Sequence, residues 1–151
     1  MLELDYQISG EWCRADSRPD LSGADETALR YNVLLGDIKL RIDGVELGTD
    51  FGWVPLVDFA VCLKQITKEL GLSPNIGAAF DFTESDASIR FERRGGNVEI
   101  SPSYIAASGS VSFDDFVSAV DAFVSRVRTD LLGRFPSLSG NHVFRRLMTA
   151  T

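Results

Sequence analysis

The stretch FDFTESDASIRFERRGGNVEIS, residues 80–101, decides the fold because its apolar and polar residues alternate around two groups of turn-forming residues. We take Ser85-Asp86 and Gly95-Gly96 as two-residue hairpin turns, which fixes the pairing of the flanking strands. The predicted pairs are Phe82 with Ile89, Phe80 with Phe91, and Phe91 with Ile100. Every apolar side chain then lies on one face, whereas a shift of one residue would turn the whole set toward water. The stretch therefore predicts a three-stranded antiparallel meander.

A second group of strands is predicted nearer the N-terminus. Alternating apolar and polar side chains occupy residues 2–8, 31–35 and 38–42. The alternating apolar side chains have odd numbers in residues 31–35 and even numbers in residues 38–42. One extra residue at Gly36-Asp37 would place both sets on the same face, which predicts a β-bulge there. Asp43-Gly44 is typical of a two-residue hairpin turn. The pairs that this turn predicts are Ile42 with Val45 and Leu40 with Leu47.

Two helices alternate with these strand groups. Residues 56–70 repeat apolar side chains at helical spacing, with Pro55 in the first turn and Gly71 just past the end. A longer helix is predicted to start at Ser112, because Ser112 and Asp115 have the spacing of a capping box.

The order of these elements indicates an α+β fold, since hairpin-connected strands are separated by helices. We expect one antiparallel sheet of about six strands, in the order β-β-β-α-β-β-β-α, with the two main helices on one face. A short C-terminal helix is predicted after Asn141, which would cap it. At 151 residues, the chain is predicted to be a single α+β domain spanning residues 1–151.

The candidate catalytic residues are few. Asp58 is the only polar residue in WVPLVDFAVCL, residues 53–63, and a carboxylate at the start of a helix is stabilised by the helix dipole. That gives Asp58 a structural role, with Arg41 or Lys39 as a possible ion-pair partner, because no companion acid, base or metal ligand stands beside it. His142 is the only histidine, which excludes a multi-histidine metal site, and we expect it exposed or half-packed near the start of the last helix. No catalytic residue, metal or cofactor is assigned.

The composition excludes several classes of protein. With 44% hydrophobic and 25% charged residues the chain resembles a soluble globular protein, and no apolar run reaches the ~18 residues that cross a bilayer. The net charge of −7 argues against nucleic acid as the main partner, because phosphate binding needs a basic surface. Two cysteines without a metal motif, and an N-terminus without the pattern of a signal peptide, indicate a cytoplasmic protein with reduced thiols.

The charge is unevenly distributed. Residues 1–50 hold eleven acidic and five basic residues, whereas residues 125–151 hold one acidic and five basic residues. An acidic front attracts a basic protein partner and speeds its association, and an aromatic residue such as Trp12 beside the polar loop 11–28 is typical of an interface anchor. The predicted partner-binding residues are Trp12, Asp16, Asp20, Asp25, Glu26, Asp43, Glu46 and Asp50. The alternative is that these acids only keep the domain soluble.

Four segments together resemble a known group of proteins. They are YNVLLGDIKLRIDGVEL, VPLVDFAVCLKQI, FDFTESDASIRFERRGGNVEIS and VSFDDFVSAVDAFVSRVRTDL. In this order they resemble small, poorly characterised bacterial proteins that are similar to the immunity proteins of toxin–immunity systems. The resemblance implies an acidic cytosolic α+β domain that binds and blocks a cognate toxin, and it implies no particular functional residue.

Two other classes of function stay open. One is a small enzyme or small-molecule-binding domain with a pocket between sheet and helices and Asp58 as its acid, in which case Asp58 or His142 should be exposed in a deep cavity. The other is a structural or regulatory subunit of a bacterial or phage assembly, which a large self-complementary apolar patch would indicate. A filled interior and an acidic exterior would favour the binding protein.

Overall fold

The computed structural model describes residues 1–10 and 20–149, which form two four-stranded antiparallel sheets and three α-helices. The expected α+β class is therefore confirmed, whereas the expected single sheet of six strands is wrong. Each predicted group of three strands is a separate sheet that includes one further short strand. These two additional strands, Val54–Pro55 and Gly109–Ser112, are too short to produce a recognisable alternation in the sequence.

Sheet A is built around a central strand. It comprises β1 (Leu2–Ile8), β2 (Leu35–Ile42), β3 (Val45–Glu46) and β4 (Val54–Pro55). β2 pairs with β1 along its whole length and with β3 and β4 at its two ends. The predicted hairpin turn is confirmed, since Ile42 lies opposite Val45 and the φ angles of Asp43 and Gly44 are 49° and 85°. Positive φ at both residues is what a type I′ turn requires.

β2 runs without a bulge through Gly36, which corrects the sequence prediction. The change of parity has another cause: Ala28–Asn32 forms a turn of π-helix, so residues 31–33 lie outside the strand. Leu34, with a φ of 59°, then directs the chain into β2. Glycine is needed at position 36 for a different reason, because a Cβ there would lie 2.1 Å from the carbonyl oxygen of Gln7 in β1.

Sheet B contains the predicted meander. It comprises β5 (Asn75–Asp81), β6 (Ser88–Arg94), β7 (Asn97–Pro102) and β8 (Gly109–Ser112), paired in that order. The Gly95-Gly96 turn is confirmed, and Phe91 lies opposite Ile100 as predicted.

The predicted two-residue turn at Ser85-Asp86 is wrong. Phe80, rather than Phe82, lies opposite Ile89. The amide of Phe82 donates to the carbonyl oxygen of Ala87 at 3.0 Å, which closes a longer connection between β5 and β6. Because the observed register differs from the predicted one by an even number of residues, every side chain still lies on its predicted face.

The helices begin at the predicted caps. They are α1 (Leu56–Leu70), α2 (Phe113–Arg134) and α3 (His142–Met148), with a 3₁₀ turn at Pro136–Gly140. Ser112 Oγ accepts a hydrogen bond from the amide of Asp115 at 3.1 Å, and Asn141 Oδ1 accepts one from the amide of Phe144 at 3.0 Å. Pro55 lies just before α1, as the last residue of β4, rather than in the first helical turn. Within residues 1–10 and 20–149, no helix is both long and apolar enough to span a bilayer.

A chain of aromatic contacts joins both sheets to both long helices. Tyr6 of β1 contacts Phe123 of α2, with ring centroids 6.2 Å apart. Phe123 contacts Phe59 of α1 at 5.8 Å, and Phe59 contacts Phe80 of β5 at 5.0 Å. These contacts are edge-to-face, and each adds about 0.5–1.5 kcal/mol beyond the burial of apolar area. The buried side chains of both sheets and of the helices form one continuous core.

Helix α2 lies along β1, the first strand of the chain. The Tyr6 hydroxyl donates to Asp130 at 2.9 Å, and the Arg126 guanidinium donates to the carbonyl oxygen of Leu4 at 3.0 Å. Arg126 also forms an ion pair with Asp5 at 3.1 Å. Burial raises the pKa of Tyr6, and its hydrogen bond to Asp130 raises it further, so the hydroxyl stays a neutral donor. These contacts fix α2 against an edge strand of sheet A.

Candidate functional site

Four aromatic side chains meet where sheet A lies against sheet B. Phe51 and Trp53 come from the segment between β3 and β4, Phe82 follows β5, and Tyr104 follows β7. Phe51 stacks on Trp53 with ring centroids 5.0 Å apart, and both rings pack edge-to-face on Phe82. Phe82 is buried, whereas Phe51, Trp53 and Tyr104 are half-buried and present part of their surface to solvent. We call these four residues the aromatic patch.

The aromatic patch is held in place by the carboxylate of Asp37 in β2. Asp37 Oδ1 accepts hydrogen bonds from Thr49 Oγ1 at 2.7 Å and from the amides of Phe51 and Gly52 at 2.7 and 3.0 Å. Gly52 has a φ of 80°, a conformation that favours glycine. The Tyr104 hydroxyl donates to the carbonyl oxygen of Leu47 at 2.8 Å, and burial raises its pKa so that it stays protonated. The segment that carries Phe51 and Trp53 is therefore fixed before any partner arrives.

Three exposed carboxylates adjoin the aromatic patch. Asp50 precedes Phe51 in the chain, and Glu84 and Asp86 lie in the connection that follows Phe82. None of the three forms an ion pair within the described residues. The patch and these acids lie in stretches 42–63, 69–89 and 95–125, which contain no lysine or arginine. We call Asp50, Glu84 and Asp86 the acidic border, and no cation within residues 1–10 and 20–149 pairs with it.

Aromatic side chains are enriched in protein-binding surfaces, where a few of them supply much of the binding energy. No protein family, curated protein or solved structure matches this chain. What the chain does therefore has to be inferred from the geometry, burial and charge of its own residues.

Replacing Asp37 with alanine should lower the free energy of unfolding by about 2 kcal/mol, because three donors lose their shared acceptor. The change should also speed hydrogen exchange at the amides of Phe51 and Gly52. Urea denaturation and native-state exchange measure the two effects. Asp121→Ala, at an exposed position of α2, is the control and should change neither. Unaltered exchange at both amides in the Asp37 variant would show that the carboxylate does not organise the patch.

The described members of the predicted binding residues in the loop 11–28, which are Asp20, Asp25 and Glu26, belong to a segment that contacts α3. The side-chain amide of Asn141 donates through Nδ2 to the carbonyl oxygens of Leu21 and Ala24, which fixes the segment around Leu21–Ala24. Glu26 forms an ion pair with Arg146 of α3 at 2.8 Å. Asp25 accepts from the amide of Ala28 at 2.8 Å, and Asp20 accepts from the amide and hydroxyl of Ser22. Trp12 and Asp16, and with them Cys13, lie outside the described residues.

The other predicted binding residues, Asp43, Glu46 and Asp50, lie near opposite ends of β2 in sheet A. Asp43 pairs with the amino group of Met1, and Glu46 pairs with Arg41, at the hairpin end of β2. Asp50 lies near the other end, beside the aromatic patch. The structure therefore does not bring the predicted acids together, and of those it describes, Asp50 is the one that adjoins the patch.

Asp58 is a buried structural carboxylate. It is the third residue of α1, with only 6% of its side chain exposed, and it pairs with Arg30 of the π turn through guanidinium nitrogens at 2.7 and 2.8 Å. The prediction that Lys39 or Arg41 pairs with Asp58 is wrong, because both side chains lie on the exposed face of β2. Arg30 and Asp58 are 28 residues apart in sequence, so their pairing is seen only in the folded structure.

The remaining candidate catalytic groups do not form a reaction centre. Burial raises the pKa of the Cys62 thiol to about 11, and the neighbouring charge of Asp58 adds to the shift, so the thiol is protonated at neutral pH. His142 is the exposed first residue of α3. The part of the chain that the structure describes contains no group of three or more His, Cys, Asp or Glu side chains that could hold a metal ion.

Sequence reasoning missed most of this site. Phe51, Trp53, Tyr104, Glu84 and Asp86 are not predicted as site residues from the sequence. A signal was nevertheless present, because three long stretches without lysine or arginine carry all the aromatic residues of the patch. Their meeting depends on the junction of two sheets, which local patterns do not encode.

Proposed function

We propose that this chain is a non-enzymatic binding protein of the immunity type, which covers a basic surface of a cognate bacterial toxin in the cytoplasm. The observation that carries the proposal is the stacked, half-buried Phe51–Trp53 pair beside the acids Asp50, Glu84 and Asp86, which form no ion pair within the described residues. The toxin as the specific partner rests on the resemblance of the four sequence segments to immunity proteins.

The two parts of the surface have separate tasks. The acidic border attracts a basic partner over long range and raises the association rate. The aromatic patch supplies contact area that loses water on binding, which slows dissociation. Because Asp37 already fixes the segment that carries Phe51 and Trp53, little conformational entropy is lost when the partner docks.

The chemistry of the interior supports binding over catalysis. Asp58, the acid of the enzyme alternative, is buried in an ion pair with Arg30 and is not exposed in a cavity. The Cys62 thiol beside it stays protonated at neutral pH because burial raises its pKa to about 11. A carboxylate held in this way stabilises the start of α1.

The test uses the partner that is isolated with the tagged chain from its native cell. Trp53→Ala should weaken the complex by about 30-fold, the effect of losing a central aromatic anchor. Glu84→Lys should slow association, and raising the salt concentration from about 20 to 300 mM should slow it by about tenfold. Stopped-flow or surface plasmon resonance measurements give both rates.

Glu99→Lys is the matched control, since it makes the same change of net charge at an exposed position on the opposite face of sheet B. It should leave the association rate close to that of the unchanged chain. The proposal fails if the Trp53 variant binds as tightly as the unchanged chain, or if Glu99→Lys and Glu84→Lys slow association equally. A growth assay then tests the toxin itself: co-expression should protect a susceptible cell, and the Trp53→Ala variant should protect it less.

A further inference from the structure

A groove runs between α1 and α2 on the helical side of the protein. Its volume is about 430 Å³, within the range of small-molecule sites, and it shares no residue with the aromatic patch. The apolar side chains of Val117 and Val124 from α2 and Met148 from α3 line it. Val117 is half-buried, whereas Val124 and Met148 are 5% and 1% exposed, so the groove offers a narrow apolar floor that suits an aliphatic chain.

The charged residues that line the groove, among those that the structure describes, are mainly cationic. Lys64 and Lys68 of α1 and Arg128 of α2 line it, with Asp121 as the one carboxylate among the lining residues. Lys68 and Arg128 are exposed, and neither forms an ion pair within residues 1–10 and 20–149. This concentration of positive charge stands out on a chain whose net charge is −7.

The lysines of the groove repel one another. The Lys64 ammonium donates to the carbonyl oxygen of Leu147 at 3.1 Å and to that of Thr149, which holds it at the end of α3. Burial lowers the pKa of Lys64, and the charge of Lys68 lowers it further. An anion bound beside Lys68 would offset its repulsion of Lys64, and Arg128, which also lines the groove, supplies a second cation for that anion.

We propose that the groove binds a small amphipathic organic anion, with its carboxylate or phosphate against Lys68 and Arg128 and its apolar body against Val117, Val124 and Met148. The cations select the charge of the ligand, and the apolar floor selects against small inorganic anions. This site is independent of the proposed protein-binding surface.

Decanoate is the probe for this proposal, with decanol and decyltrimethylammonium as ligands of the same chain length but different charge. Decanoate should bind saturably and shift the amide resonances of residues 117–128 in heteronuclear NMR spectra. Decanol should bind at least about tenfold more weakly, and the cation should not saturate the site. Inorganic phosphate should also bind at least about tenfold more weakly, because it makes no use of the apolar floor.

The variant Lys68→Glu/Arg128→Glu should lose decanoate binding by about tenfold or more while keeping the circular dichroism spectrum of the unchanged chain. Lys39→Glu is the control, because Lys39 is exposed on sheet A, and it should leave the affinity unchanged. The proposal is overturned if decanoate shifts only resonances outside the groove, if decanol binds as tightly as decanoate, or if the folded double variant keeps its affinity.

Discussion

Replacing Arg30 with alanine should lower the free energy of unfolding by about 3 kcal/mol, because the change leaves a buried carboxylate without its partner. The Asp58 side chain is 6% exposed and receives two guanidinium nitrogens of Arg30, so water does not take their place. The affected carboxylate lies in the first turn of α1, directly after β4 and the segment of the aromatic patch. Urea denaturation followed by circular dichroism measures the loss.

Arg90→Ala is the matched control for this experiment. Arg90 pairs with Glu92 on the surface of sheet B, where its side chain is 64% exposed, and such pairs contribute about 0–1 kcal/mol. The double change Arg30→Met and Asp58→Leu should recover most of the stability, since it removes both charges together. Equal stability losses in the Arg30 and Arg90 variants would contradict a buried, structural ion pair.

The second large effect is expected at Gly36, where alanine should lower the free energy of unfolding by about 3 kcal/mol. The added Cβ would lie 2.1 Å from the carbonyl oxygen of Gln7 and 2.9 Å from the Cα of Ile8. Both are backbone atoms of β1, so no side-chain rotation relieves the contact. β1 must move away from β2, which weakens the ladder at the end of sheet A where β4 also pairs.

Gly77→Ala in β5 provides the comparison for Gly36. Its added Cβ would meet Glu92 Cγ at 3.6 Å, an ordinary van der Waals distance. This variant should be neutral or slightly more stable, by up to about 1 kcal/mol, because alanine restricts the unfolded chain. Thermal or urea denaturation of both variants separates the two cases. Similar stabilities for the two variants would mean that Gly36 does not hold β1 close to β2.

The features that sequence predicts correctly are those with a local cause. Ser112 and Asn141 cap the helices that they precede, and the turns at Asp43-Gly44 and Gly95-Gly96 set the registers that follow from their chemistry. The faces of the meander also follow from alternation. Because alternation repeats every second residue, it places side chains on the correct face even when the register of one hairpin is wrong.

The features that sequence does not predict have long-range causes. The end of the π turn at Ala28–Asn32 continues the apolar alternation, so the sequence pattern predicts a strand there. Arg30 is identified as the partner of Asp58 only from the three-dimensional structure. The aromatic patch has the same origin. Its members come from both sheets, and the apolar character of Trp53 and Phe82 indicates burial equally well. The sequence feature that does indicate the patch is the distribution of charge, because the stretches that contain its residues have no lysine or arginine.

The placement of α2 along β1 has a consequence for how the protein acquires its structure during synthesis. The bonds from Arg126 to Leu4 and from Tyr6 to Asp130 span 122 and 124 residues, so β1 meets α2 only after the residues between them have been synthesised. Closure of such a long loop slows folding. A nascent chain of this protein therefore carries β1 without its helix until Asp130 has been made.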